Sequence, residues 1–153
     1  MKTNFLLCLC ICVIAFLGCR EYESSVSSAI AKKVSRGEGT IINLSELTSF
    51  KWDRLYIFDP YESRDTIQNL IGQRFLKTNE LSMGVSEGDT LLVFMKDNKV
   101  AHYFMHPRGK GDFSGLGKDN WFTPQNAKFQ VIQEGYSLRG KWLKLKVIEW
   151  KKE

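Results

Sequence analysis

Thr90–Met105 reads TLLVFMKDNKVAHYFM, two runs of β-branched, aromatic and apolar residues around a polar centre. Thr90–Met95 and Val100–Met105 have the composition of strands. Lys96–Lys99 is a polar connection of the length that hairpins favour, so this stretch predicts an antiparallel pair. Upstream, Phe50–Tyr61 (FKWDRLYIFDPY) predicts another strand over Trp52–Phe58, ended by Pro60. Its apolar side chains fall on both parities, Trp52, Tyr56 and Phe58 on one and Leu55 and Ile57 on the other. That pattern predicts an interior strand covered on both faces. Downstream, Ala127–Ile132 and Trp142–Trp150 (WLKLKVIEW) predict two more strands, with Gly135 to Gly140 between them.

Helical signals are fewer. Ser63 is placed to cap a helix running to Ile71, with Asp65 in its first turn, Ile67, Leu70 and Ile71 as the apolar stripe, and Gly72 as its stop. Ser25–Arg36 sets Val26, Ala29, Ile30, Lys33 and Val34 at helical spacing, with Gly37 available to end it. Thr40–Leu47 predicts a short strand and a single helical turn. The expectation is one small α+β domain over residues 25–153, with five or six mostly antiparallel strands and two or three helices.

The four cysteines, Cys8, Cys10, Cys12 and Cys19, all lie in the first nineteen residues. Beyond Cys19 the chain offers no disulfide, no thiol nucleophile and no cysteine-held metal. Phe5–Gly18 (FLLCLCICVIAFLG) is an apolar run behind a single early lysine. At about 1.5 Å per residue it reaches about 21 Å, short of a hydrocarbon core of about 30 Å, so it predicts an export signal. Phe16-Leu17-Gly18-Cys19 resembles a bacterial lipobox, with Gly18 and Cys19 at its two most demanding positions. The resemblance implies that residues 1–18 are cleaved, that Cys19 carries a diacylglyceryl thioether and an N-acyl chain, and that residues 19–24 form a short tether. Two or more chains anchor stably where one is marginal. Arg20 behind the cysteine implies, by the same resemblance, that outer-membrane sorting is permitted in a two-membrane bacterium.

With Lys2 removed, the 22 basic residues lose one against 17 acidic, leaving a formal charge of +4. That excess suits a protein near anionic headgroups and is too scattered to predict a nucleic-acid partner.

Catalytic signals are weak. The glycine-rich His106–Thr123 (HPRGKGDFSGLGKDNWFT) fails as a phosphate loop: five residues separate Gly111 from Gly117-Lys118, and Asp119 stands where Ser or Thr would bind magnesium. A dinucleotide fingerprint fails as well, since Ser114 follows Gly109-x-Gly111 where glycine is needed. The expectation is a flexible connection; a binding loop built on Arg108, Lys110, Phe113 and Trp121 is the alternative. His102 and His106 share one face of a strand and are read as an ordinary polar face, with no metal and no cofactor expected. Asp53, Asp59 and Glu62 flank the aromatic strand. Turn and backbone roles are expected for them, and a carboxylate pair of hydrolytic type is the rival. No G-x-S-x-G elbow is present. On the last strand, Trp142, Lys144, Lys146 and Trp150 make a basic stripe bracketed by tryptophans. It guards a sheet edge or, as the alternative, docks an anionic partner.

Phe50, Trp52, Asp53, Tyr56, Phe58, Pro60 and Tyr61 spell F-x-W-D-x-x-Y-x-F-x-P-Y, a string that resembles one found in small uncharacterised bacterial lipoproteins. The Thr90–Val100 hairpin, Gly111-Asp-Phe-Ser and Phe122-Thr-Pro-x-Asn126 fit the same resemblance. It implies a membrane address and no activity. The function expected is therefore a lipid-anchored, extracytoplasmic, non-enzymatic module that binds an envelope protein or component. An envelope hydrolase and an immunity or inhibitor lipoprotein are the rivals.

Overall fold

The structure, a computed structural model, describes residues 18–76, 84–117, 121–138 and 140–148, with side chains described from Ser25 onward. In chain order the elements are α1 (Gly18–Val34), β1 (Ile41–Asn43), the single turn α2 (Leu44–Leu47), β2 (Arg54–Phe58), α3 (Arg64–Ile71), β3 (Asp89–Lys96), β4 (Lys99–Pro107), a 3-10 turn (Arg108–Lys110), β5 (Lys128–Ser137) and β6 (Gly140–Val147). Every strand pair is antiparallel. They form two three-stranded sheets, ordered β1-β5-β6 and β2-β3-β4. This corrects the α+β expectation. Six strands dominate, two of the helices span only one or two turns, and the class is mainly β. The strand and helix signals were sound, but α2 and α3 are too short to make a layer of their own.

The β3–β4 hairpin turns through two residues, not four. Asp97 (φ 50) and Asn98 (φ 60) take the left-handed conformation that a tight primed turn needs, and Asp and Asn tolerate it better than most residues. β2 pairs with β3 alone in its sheet, so the interior strand is β3, and β2 lies at the edge. Both faces of β2 are nevertheless covered, which is why both parities are apolar. Leu55 and Ile57 point with Leu92, Phe94 and Phe104 into the main core between the sheets. Phe58 points with Leu91, Val93 and Met95 to the opposite face, where Ile67 and Ile71 of α3 cover them.

The main core takes Ile42, Phe129, Val131 and Leu145 from the other sheet and Val26, Ile30 and Val34 from α1. Those three helical residues recur every four positions, the stripe that a helix needs to lie on a sheet. α1 begins earlier than predicted, and its helical backbone includes residues 19–24. Among the described residues no helix is long and apolar enough to cross a membrane.

Residues 108–117 and 121–123 correct the flexible-connection expectation for His106–Thr123 most strongly, residues 118–120 lying outside the described ones. They form a strap that joins the two sheets. The Asp112 N–H donates to the Leu143 carbonyl (3.0 Å) and the Leu145 N–H to the Asp112 carbonyl (2.8 Å), extending the β6 edge by one residue. Ten residues later, Phe122 and Leu55 exchange two backbone hydrogen bonds of 2.8 Å, extending the β2 edge. Phe113 and Phe122, both buried, pack edge-on against Phe129 at 5.4 and 5.2 Å between centroids. Two glycines let the strap lie this close. A Cβ on Gly111 would meet Val34 Cγ2 of α1 at 2.8 Å, and one on Gly117 would stand 1.7 Å from the Ile57 carbonyl oxygen.

Candidate functional site

A groove of about 770 Å³ opens beside the strap, where β2 ends and α3 begins. Its floor is the end of β2, Tyr56 to Phe58, with Gly117 laid against it. Asp59 and Glu62 form one wall. Thr66, Asn69 and Leu70, the outward positions of α3, form another, and Trp121 stands at the rim.

Local chemistry holds these walls. The Ser63 hydroxyl oxygen accepts from the Thr66 N–H (3.1 Å) to start α3, and Gly72 (φ 76) ends it in the left-handed conformation. Ile67 and Ile71 turn inward, which leaves Leu70 more than half exposed and outside the buried stripe to which its spacing assigned it. Tyr61 sits at φ 69, an unusual conformation for a bulky residue. It is kept there by two backbone bonds to Val85, from the Tyr61 N–H (2.8 Å) and to the Glu62 carbonyl (3.0 Å). The Gly115 N–H donates to Asp59 Oδ1 (2.8 Å), tying strap to wall. Among the described lining residues two are acidic and none is basic, in a chain of net charge +5.

The other residues singled out from sequence go elsewhere. Asp53, at the far end of β2, accepts the Asp97 N–H (2.8 Å) and faces Arg54 and Lys96. That backbone bond, with the neighbouring cations, holds its carboxyl below the usual range. It staples the hairpin turn. His102 and His106 do share a face, but it is the inner one. His102 lies against Phe50 at 3.9 Å between centroids, and burial lowers its pKa. His106 is fully buried, with Nδ1 2.8 Å from the Ser27 hydroxyl of α1 and its ring edge-on to Phe113. Its Nε2 has no hydrogen-bond partner. Burial pushes its pKa down to about 4, the nearby Lys110 backbone working the other way. Among the described residues no group of three metal-ligating side chains forms.

Arg108 forks onto the buried Asp112 through Nε (3.0 Å) and Nη2 (2.9 Å) and lies 5.4 Å from the Trp142 ring centroid. Asp112 also accepts the Trp142 indole N–H (3.1 Å) and the Ser114 N–H (2.9 Å). Burial alone would raise its pKa; the guanidinium and the Ser114 bonds outweigh it and leave the carboxyl below its ordinary value. So Arg108, Phe113 and Trp142 fasten the strap. Lys144 pairs with Glu134 at 3.1 Å, and Lys110 and Lys146 are exposed. Trp150 lies outside the described residues. Of the sequence candidates, Arg108 and Trp142 meet at the strap, and Asp59, Glu62 and Trp121 meet in the groove. Tyr56, Thr66, Asn69, Leu70 and Gly117 join them there unannounced. The one readable sign was an apolar Leu70 next to two polar residues, and helical spacing alone assigns it to the core.

Fold and groove together define a class: a mainly β domain of two strapped sheets with an acidic, aromatic-rimmed groove. No family model matches this chain, and neither the curated proteins nor the solved structures contain a match.

Proposed function

We propose that this chain is a lipid-anchored, extracytoplasmic module that binds an envelope component in the groove between β2, α3 and the strap. The observation that carries the reading is the groove itself. Its volume falls in the roughly 300–1,000 Å³ range of small-ligand clefts, and aromatic surface there meets a few convergent polar groups. The lipobox-like Phe16–Cys19 supports the anchor. The direction of α1 fits it too: Ser27 against His106, and Gly111 against Val34, set the C-terminal half of the helix at the strap. Residue 19 lies about 22 Å back along the helix at about 1.5 Å per residue.

Immobilised residues 19–153 and a Leu70→Glu/Trp121→Ala double variant, incubated side by side with solubilised envelope, test the groove. Both side chains are about half exposed or more, so the variant is expected to fold. Material retained by the native chain and lost from the variant is the expected result; equal retention overturns the reading. A second reading rests on Asp59 and Glu62 both lining the groove, since a carboxylate hydrolase works through two such groups. Turnover of the retained component, abolished by Glu62→Gln with retention intact, would establish that reading instead.

A further inference from the structure

Given that the groove is the binding site, we propose that its ligand is a neutral oligosaccharide. The argument comes from what the lining offers and what it lacks. Asp59 and Glu62 supply carboxylate oxygens, the strongest acceptors for hydroxyl groups. Asp59 is already oriented by the Gly115 N–H on Oδ1, and among the described residues no hydrogen bond engages Oδ2. Asn69 adds an amide that both donates and accepts, and Thr66 adds a hydroxyl. Tyr56 and the half-exposed Trp121 add aromatic faces, whose negative quadrupole attracts the polarised C–H bonds on one side of a sugar ring.

Each class of competitor leaves part of this set unused or opposed. An anion meets two carboxylates and, among the described lining residues, no cation, and like charges in juxtaposition are strongly disfavoured. A cation would use the carboxylates and the aromatic faces but not the donor groups of Asn69 and Thr66. A purely apolar ligand would strip water from both carboxylates and offer them nothing in its place. Adjacent hydroxyls above an apolar ring face use every group present.

The test is binding of residues 19–153 to an array of neutral oligosaccharides that includes cellotriose, maltotriose and tri-N-acetylchitotriose, followed by calorimetric titration of the strongest, with pentalysine as the competing chemistry. Saturable binding of at least one saccharide is expected, weakened at least tenfold by Trp121→Ala and by Asn69→Leu. Asn69 and Trp121 are exposed, and matching circular dichroism of the variants would show that the fold survives. A blank array overturns the proposal. Binding of pentalysine alone, lost in the same variants, also overturns it, while leaving the groove as the binding site. Loss of the envelope-capture difference would overturn that broader reading as well.

Discussion

Buried and neutral, the His106 imidazole makes the chain's stability depend on pH. In the folded state it takes a proton only near pH 4, whereas an unfolded chain takes it near 6.5. Its contribution is therefore complete above about pH 6.5 and is lost as the pH falls towards 4. The loss reaches about 3 kcal/mol, at about 1.4 kcal/mol per pH unit. His102, shifted the same way by burial, adds to the slope. Urea midpoints measured from pH 7 to 4.5 should fall steadily, and His106→Asn, which keeps a polar group for Ser27 but does not titrate, should flatten much of that fall. Asp112 acts below this window, because its stabilisation is lost only as the pH drops through its lowered pKa. Asp112→Ala at pH 7 leaves Arg108 and the Trp142 indole N–H without their acceptor. Breaking such a pair costs about 3 kcal/mol, readable as a lowered urea midpoint at unchanged slope. The spacing of four between the histidines told that they share a face. Which face could not be read, because the polar residue that meets His106 lies on α1.

At the scale of elements, the strap separates what was legible from what was not. Its composition of glycines and charges has no period, and periodicity is the signal that marks secondary structure. Its order comes instead from single contacts: one residue added to β6, one to β2, and two phenylalanines on Phe129. Gly117→Ala should therefore cost about 1–3 kcal/mol, as overpacking does, because the new methyl meets a backbone carbonyl that has no rotamer to yield. The same change should distort the groove floor, so weakened ligand binding should accompany the lower midpoint. α1 was far more readable, since Val26, Ile30 and Val34 recur as a helix requires. Ile30→Ala, at a fully buried position, should cost about 2–5 kcal/mol by chemical denaturation.

For the whole molecule, the address we propose rests on the first nineteen residues and the architecture on the rest of the chain. Our reading of Cys19 as the lipidated residue makes a direct prediction. Cys19→Ser should move from the membrane fraction to the soluble one, and the intact mass of the native form should exceed that of residues 19–153 by its acyl chains. Retention of the variant in the membrane would remove the anchor. The architecture was read from sequence as α+β from five or six strand signals and two or three helical ones. The class depends on something else, namely that four of the six strands return as hairpins and that the helices between them are short.

Local chemistry was enough to specify the β3–β4 hairpin, though not the two-residue length of its turn, and also the Ser63 cap and Gly72 stop of α3 and the apolar stripe of α1. Each rests on residues within a few positions of one another, where backbone geometry leaves little choice. The division into two sheets, the strap and the groove were decided only in three dimensions. Their defining contacts, such as Ser27 with His106 and Gly115 with Asp59, join residues 79 and 56 positions apart. Such contacts depend on how whole faces pack and on which edges are left unpaired, and no periodic pattern along the chain carries that information.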